Sequence, residues 1–328
     1  MPSSCTVTSG GSRDAVTGRR VVALGGGHGL ATSLTALKIL TDHVTAVVTV
    51  ADDGGSSGRL RTEFDVLPPG DLRMALAALC EDSAWGRTWR DVLQHRFGGD
   101  GPLAGHALGN LLIVAIWDQL ADTVEGLDLV GRLLNARGRV LPMAAQPLQI
   151  EADILGHDPA YPDVTFTVRG QHVVASSPGR VEEIRLRPAQ PSACPESIEA
   201  VLAADWVILG PGSWFTSVLP HVLVPDLCRA LESTPGRRLL NLNLDIRSGE
   251  TKGYRAVDHL ESLRRHAPDL RLDVVLADPG SIDDQVAARA AARDLGADLM
   301  VVPVSAMGAR GQHDALRLAA AYRDVFGV

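Results

Sequence analysis

Aromatic residues make up only 4% of the 328-residue chain, and its four cysteines stand alone at positions 5, 80, 194 and 228. No C-x-x-C pair occurs, so a cysteine-built zinc site and a disulfide framework are both excluded. Reduced, buried thiols in a cytoplasmic protein are expected instead. No apolar run is long enough to cross a bilayer. The N-terminal stretch MPSSCTVTSGGSRDAVTGRR lacks the apolar core of a secretory signal. An excess of positive charge is missing too: the formal net charge is -8 and the sequence pI about 5.7. That balance argues against nucleic-acid or anionic-membrane partners, while leaving room for a local basic pocket around a phosphate. H-E-x-x-H and G-x-S-x-G are absent, and no serine or cysteine triad is legible from spacing.

What the chain does have is apolar substance, 45% of its residues, enough for a sizeable core. Residues 1–19 are polar and rich in glycine and serine, and read as a disordered tail. Residues 20–328 read as a single domain. RRVVAL is a strand, GGGHG a glycine turn, LATSLTALKIL a helix and VTAVVTV a second strand. Strand, turn, helix, strand is a βαβ unit, which favours a parallel sheet with right-handed crossovers. Helices are expected over 72–79, 108–120 and 127–135. From about 140 to 190 the pattern changes. LQIEAD, VTFTVRG and VEEIRLRP alternate apolar and polar residues, as in short antiparallel strands of a β insertion on the edge of the main sheet. The α/β rhythm then resumes, with strands at DWVILG, RRLLNLN, RLDVVLA and ADLMVVPV and helices over 197–204, 257–266, 282–295 and 314–325. The expected fold is a three-layer, doubly wound, mostly parallel Rossmann-like α/β sheet with a mid-chain β insertion.

Six polar stretches stand out, and those that follow strands fall where an open α/β sheet binds ligands, beyond the carboxyl ends of strands. The first is LGGGHGL, with Gly25, Gly26, Gly27, His28 and Gly29. Glycines at a strand-to-helix junction let backbone N–H groups approach an anion. The dinucleotide fingerprint fails, because Leu30 stands where its third glycine belongs, and the P-loop fails for want of a Lys-Ser/Thr pair. The second is ADDGGSSGRLR. Asp52 and Asp53 could hold a divalent cation, orient a sugar hydroxyl or act as a base. Gly54 and Gly58 permit close backbone approach, Ser56 and Ser57 supply hydroxyls, and Arg59 offers a fork for phosphate. The third is PPGDLR, where Asp71 either caps a helix or completes the acidic cluster. The fourth is GHALGN, with His106 and Asn110 one helical turn apart. Further on, LGPGSWFTS places Gly210, Gly212, Ser213, Thr216 and Ser217 in a second phosphate-type loop, and SGETKGY follows the LLNLN strand. Such a pocket suits a diphosphate-containing ligand, a nucleotide or nucleotide-sugar.

Taken in order, ALGGGHGL, VTAVVTVADDGGSSGRLR, PPGDLRMALAAL, LQHRF, GHALGNL, GRVLPM, LGPGSWFTSVLPHVLV and GETKGY resemble the 2-phospho-lactate transferase (CofD-like) superfamily over residues 21–254. Within it the chain looks most like the YvcK-type branch, labelled gluconeogenesis factors, and its actinobacterial, cell-wall-linked members. The resemblance implies two alternatives. Members of the YvcK-type branch are thought to bind UDP-sugars such as UDP-N-acetylglucosamine and to support peptidoglycan synthesis and cell shape during growth on gluconeogenic carbon, with no established enzymatic activity. The transferase branch moves a phospho-lactyl or phosphoenolpyruvyl group from a guanosine diphosphate adduct to a deazaflavin with Mg²⁺. By resemblance, Asp52, Asp53 and the glycine turns are the nucleotide and metal machinery. The chain departs from the common pattern at His28, Met74, Phe215, the DIRSGET run and Gln312-His313-Asp314, where Arg310 is a candidate for a missing guanidinium.

The resulting expectation is a cytoplasmic UDP-sugar-binding regulator with no required cofactor, Mg²⁺ being optional on Asp52 and Asp53. Its partner is a wall-synthesis regulatory protein, with neither nucleic acid nor a membrane span involved. A homodimer is the prior from symmetry statistics.

Overall fold

The computed structural model describes residues 18–244, 249–251, 253–308 and 311–327. Most of the expected tail, together with Cys5 and Arg310, lies outside the described residues. The chain runs β1 (Val21–Gly25), α1 (Gly27–Leu37), β2 (Val44–Val48), α2 (Gly55–Phe64), α3 (Pro69–Leu79), α4 (Ala84–Gln94), α5 (Leu108–Leu120), α6 (Thr123–Leu133) and β3 (Arg139–Pro142). Then come β4 (Gln149–Leu155), β5 (Thr165–Arg169), α7 (Gln171–Ser176), β6 (Arg180–Arg187), α8 (Pro195–Ala203) and β7 (Trp206–Leu209). A π-helical turn (Trp214–Val218) and a 3₁₀ turn (Leu219–Leu223) lead into α9 (Pro225–Ser233) and β8 (Arg237–Asn241). The last elements are α10 (Ala256–His266), β9 (Val274–Ala277), α11 (Gln285–Asp294), β10 (Asp298–Val301) and α12 (Ala315–Phe326).

Seven strands form one sheet in the order β10-β9-β8-β7-β1-β2-β3, and every pairing in it is parallel. β1, β7 and β9 are buried at every position, which is why they read as unbroken apolar runs rather than alternations. β2 lies on one side of β1 and β8 on the opposite side of β7. Right-handed crossovers therefore place α1 and α9 on opposite faces of the sheet. α1 packs against α3 and α12, and α9 against α8 and the 3₁₀ turn. Tyr322 fastens the first of these layers: its hydroxyl meets Ser33 Oγ at 2.9 Å and accepts from Asn241 Nδ2 at 3.0 Å.

The β insertion is a separate antiparallel sheet, β5-β4-β6. Its inner face, Ile150, Ala152, Ile154, Val181, Ile184 and Leu186, joins the common core. On the outer face the buried Glu151 carboxylate meets Arg169, Arg185 and Arg187. Two expectations need correction. Residues 139–142 do not belong to the insertion but form the edge strand of the main sheet, parallel to β2, and Pro142 is tolerated because an edge strand has an unpaired side. ADDGGSSGRLR is not a loop throughout: from Gly55 it is the helix α2, whose low-propensity glycines and serines sit in its first turn.

Candidate functional site

β1 and β7 are neighbours in the sheet, but their chains leave in opposite directions, to β2 and to β8. Their carboxyl ends thus flank the topological switch point, the crevice where open α/β sheets bind ligands. Residues 25–29 and 210–217 both lie there. A Cβ at Gly29 would collide with the Pro211 carbonyl and come within 2.9 Å of Gly212 Cα, so only glycine lets the two loops touch. A Cβ at Gly26 would fall 2.6 Å from Thr49 Cγ2 and into the Asp71 carboxylate.

Three helix N-termini converge on this crevice, those of α1, α2 and α3. Asp71, in the first turn of α3, abuts the start of α1 at Gly26, and Gly70 beside it abuts Ser57 in the first turn of α2. Each terminus carries roughly half a positive charge. None of the three is capped by its own N-cap side chain, and their remaining amides could meet an anion, although the Gly27 amide of α1 already faces the Asp71 carboxyl. Asp71 is therefore not the cap of its own helix. Its carboxyl is pushed up to about 7, by burial first and by the charge of Asp52 second, while the Gly27 amide and Arg73 pull the other way.

Asp52 and Asp53 part company. Asp52 Oδ1 accepts from Gly54 N at 3.0 Å, and its Oδ2 faces Gly70. Asp53 turns away: Oδ2 accepts from Gln171 N and Oδ1 from His172 N, both at 3.0 Å, which binds the loop to the start of α7. The carboxylate that joins Asp52 beside the glycine loop is Asp71. Two carboxylates with phosphate oxygens to complete the shell suit Mg²⁺, and Asp52 and Asp71 are the residues that would hold it. Among the described residues no cluster of three or more His, Cys, Asp or Glu forms a site that could hold a metal by itself.

Several residues expected to contact ligand are hydrogen-bonded to one another. Ser56 and Asn110 are buried and bonded to one another, Asn110 Nδ2 donating to Ser56 Oγ at 3.0 Å. Ser56 also meets His106 Nδ1 at 3.0 Å, and Asn110 Oδ1 accepts from Arg73 Nε at 2.8 Å. Burial first, then Arg59, hold the His106 imidazole below its ordinary pKa. Hydrogen-bond contacts thus run from Arg73 through Asn110 and Ser56 to His106. Arg73, only 3% exposed, is the residue that sequence reasoning passed over. Burial and Arg96 pull its guanidinium down to about 10 against the opposing charges of Asp71 and Asp52. Arg59 is exposed and spends one amine on the Ala104 carbonyl at 2.7 Å. His28 is exposed on α1 and lines an outer groove with Met74, Arg90 and His313.

The second loop is held from below. Asn243 grips the Gly212 peptide from both sides, its Oδ1 accepting from Gly212 N at 2.8 Å and its Nδ2 donating to Gly212 O. Glu250 Oε1 accepts from Phe215 N at 2.9 Å. Burial pushes the Glu250 carboxyl up to about 7, against the Phe215 amide and the Thr216 hydroxyl. Thr216 and Ser217 are thus buried, and Ser213 is the hydroxyl of this loop left exposed. Asn243, the last residue of LLNLN, and Glu250 beyond it were detectable only as polar residues at that strand's end.

The family model described as "2-phospho-L-lactate transferase CofD" matches residues 21–310. A Mycobacterium leprae protein, provisionally named a gluconeogenesis factor, is 51% identical over 304 residues, 92% of this chain and 84% of its own. The Bacillus subtilis gluconeogenesis factor is 36% identical over 267 residues, 81% of this chain and 81% of its own. A crystal structure of a UPF0052 family protein from Bacillus halodurans superposes with a TM-score of 0.81 at 33% identity, covering 92% of this chain and 98% of that one. The chain is a member of the CofD family, and its relatives are gluconeogenesis factors by name.

Proposed function

We propose that the protein is a cytoplasmic nucleotide-sugar sensor of the UDP-N-acetylglucosamine type, which links gluconeogenic carbon supply to peptidoglycan synthesis and cell shape. The observation that carries this reading is the meeting of two glycine loops at the switch point, with three helix N-termini that lack an N-cap side-chain bond turned to the same crevice. That arrangement suits a diphosphate. The 25–29 loop and the α2 turn take the diphosphate side, and the 210–213 turn closes over phosphate or ribose. Ligand binding favours one conformer of the crevice, and that conformer is the one a wall-synthesis regulatory protein recognises.

A second reading rests on Asp52 and Asp71. A carboxylate pair beside helix N-termini could hold Mg²⁺ on a diphosphate leaving group, as a transferase acting on a guanosine diphosphate adduct requires. Calorimetric titration with UDP-N-acetylglucosamine and with GDP, each with and without Mg²⁺, decides between them. Tight UDP-sugar binding with no GDP response supports the sensor. Preference for GDP with Mg²⁺ overturns it in favour of the transferase.

A further inference from the structure

Arg73 is a buried residue, 3% exposed, yet among the described residues no counter-ion contacts its guanidinium. Its Nε–H goes to the neutral amide of Asn110. Among the described residues, no acceptor is bonded to either terminal amine and no carboxylate forms an ion pair with it. A buried guanidinium left in this state is strongly unfavourable unless an anion is brought to it. Replacing the residue by an apolar one would remove the penalty. Instead a buried relay of three side chains, Asn110, Ser56 and His106, fixes the plane of the guanidinium by its inner edge. The fork that remains is the edge that pairs with two oxygens of a phosphate.

Its surroundings say which side the anion comes from. Asp52 and Asp71 are the carboxylates whose charge reaches Arg73, and both belong to the crevice at the ends of β1 and β2. Ser56, which anchors the relay, lies in the first turn of α2, one of the three helix N-termini there. We propose that Arg73 is the buried anchor of a diphosphate-type oxyanion in this crevice, and that Asn110, Ser56 and His106 are positioning residues that hold it. This deepens the nucleotide reading given above and rests on it only for the source of the diphosphate, which is a nucleotide or free pyrophosphate.

The test is calorimetric titration of the full chain with magnesium pyrophosphate, UDP and uridine. The wild type binds pyrophosphate, Arg73→Gln weakens that binding by roughly 30-fold, as expected for loss of a charged hydrogen-bonding fork, and Arg73→Lys falls between. UDP weakens in step with pyrophosphate. Pyrophosphate binding unchanged in Arg73→Gln, or absent from the wild type, overturns the proposal. Arg73-dependent pyrophosphate binding with no binding of UDP or UDP-N-acetylglucosamine supports the anchor and sinks the nucleotide reading, so the two fail separately. Because Arg73→Gln disturbs a buried site, Asn110→Asp is the companion variant. It gives the guanidinium an internal carboxylate, and Ser56 can turn its hydroxyl towards it. The ligand-free Tm should rise and pyrophosphate affinity should fall. A folded Asn110→Asp protein with wild-type pyrophosphate affinity overturns the proposal by itself.

Discussion

Asp53, on the turn after β2, accepts the backbone N–H of Gln171 at 3.0 Å across 118 residues of sequence. With the His172 N–H on its other oxygen, it caps the first turn of α7 from a distant part of the chain. The two adjacent aspartates thus have different tasks, and single substitutions separate them. Asp53→Ala should cost about 1–2 kcal/mol, the usual loss of a capping acceptor. Hydrogen exchange should speed up at 171–176. Asp52→Ala should leave those amides protected and weaken Mg²⁺-dependent nucleotide binding. Nucleotide binding at wild-type strength in Asp52→Ala would remove Asp52 from the site.

Gly29→Ala tests the contact between the two loops. The added methyl meets the Pro211 carbonyl and the Gly212 backbone rather than a mobile side chain, so the loops must separate. Overpacking of this kind costs about 1–3 kcal/mol. Tm should fall, and UDP-sugar affinity should drop at least in proportion. A variant with unchanged Tm would show that the loops do not touch in solution.

Asn243→Ala removes both hydrogen bonds that hold the Gly212 peptide. The loss should appear in ligand affinity more than in stability, about 1–2 kcal/mol or tenfold in Kd, because the Glu250 bond to Phe215 N and the Gly210 bond to Leu24 O still hold the loop. Asn243→Asp keeps the acceptor and loses the donor, and should lie between. Equal affinities in all three proteins would exclude a positioning role.

Glu250 gives stability a pH dependence with a definite sign. Its carboxyl is raised from 4.5 to about 7 in the folded protein, mainly by burial. Between those pH values the folded state holds a proton that the unfolded state has released, so stability falls as pH rises and then levels off above 7. Glu250→Gln keeps an acceptor for Phe215 N and carries no charge. It should be more stable than the wild type at pH 8, by up to about 3 kcal/mol, with little difference near pH 4. Asp71, also raised to about 7, leaves a slope of the same sign in the variant. Parallel Tm–pH curves for the two proteins would rule out the assignment to Glu250.

Much of the scaffold was legible because its physics is local. A parallel strand covered on both faces must be apolar throughout, and VVALG is. The glycine turn that follows announces a sharp change of direction before α1. The alternation in VEEIRLR likewise exposes a strand with one wet face, and β6 has its inner residues at Val181, Ile184 and Leu186. α2 was not foreseen because GSSGRLRTEF has little helix propensity, and burial of Ser56, Ser57 and Leu60 sustains it instead. α4 escaped notice for a similar reason, with a glycine and a threonine inside it, although Ser83 caps it through Gly86 N at 3.1 Å.

The sequence by itself determined the sheet, its crossovers and the polar stretches at the strand ends, since periodicity and glycine placement act between near neighbours. Only the tertiary structure decided which groups in those stretches face the crevice. Asp53 was committed to α7, Ser56 and Asn110 to Arg73, and Asp71 to Asp52's side, because each choice depends on a partner tens to more than a hundred residues away. A pattern along one chain segment carries no record of such a partner. Burial then set the chemistry, raising Asp71 and Glu250 to about 7 and lowering Arg73 to about 10, since the cost of a charge depends on what encloses it.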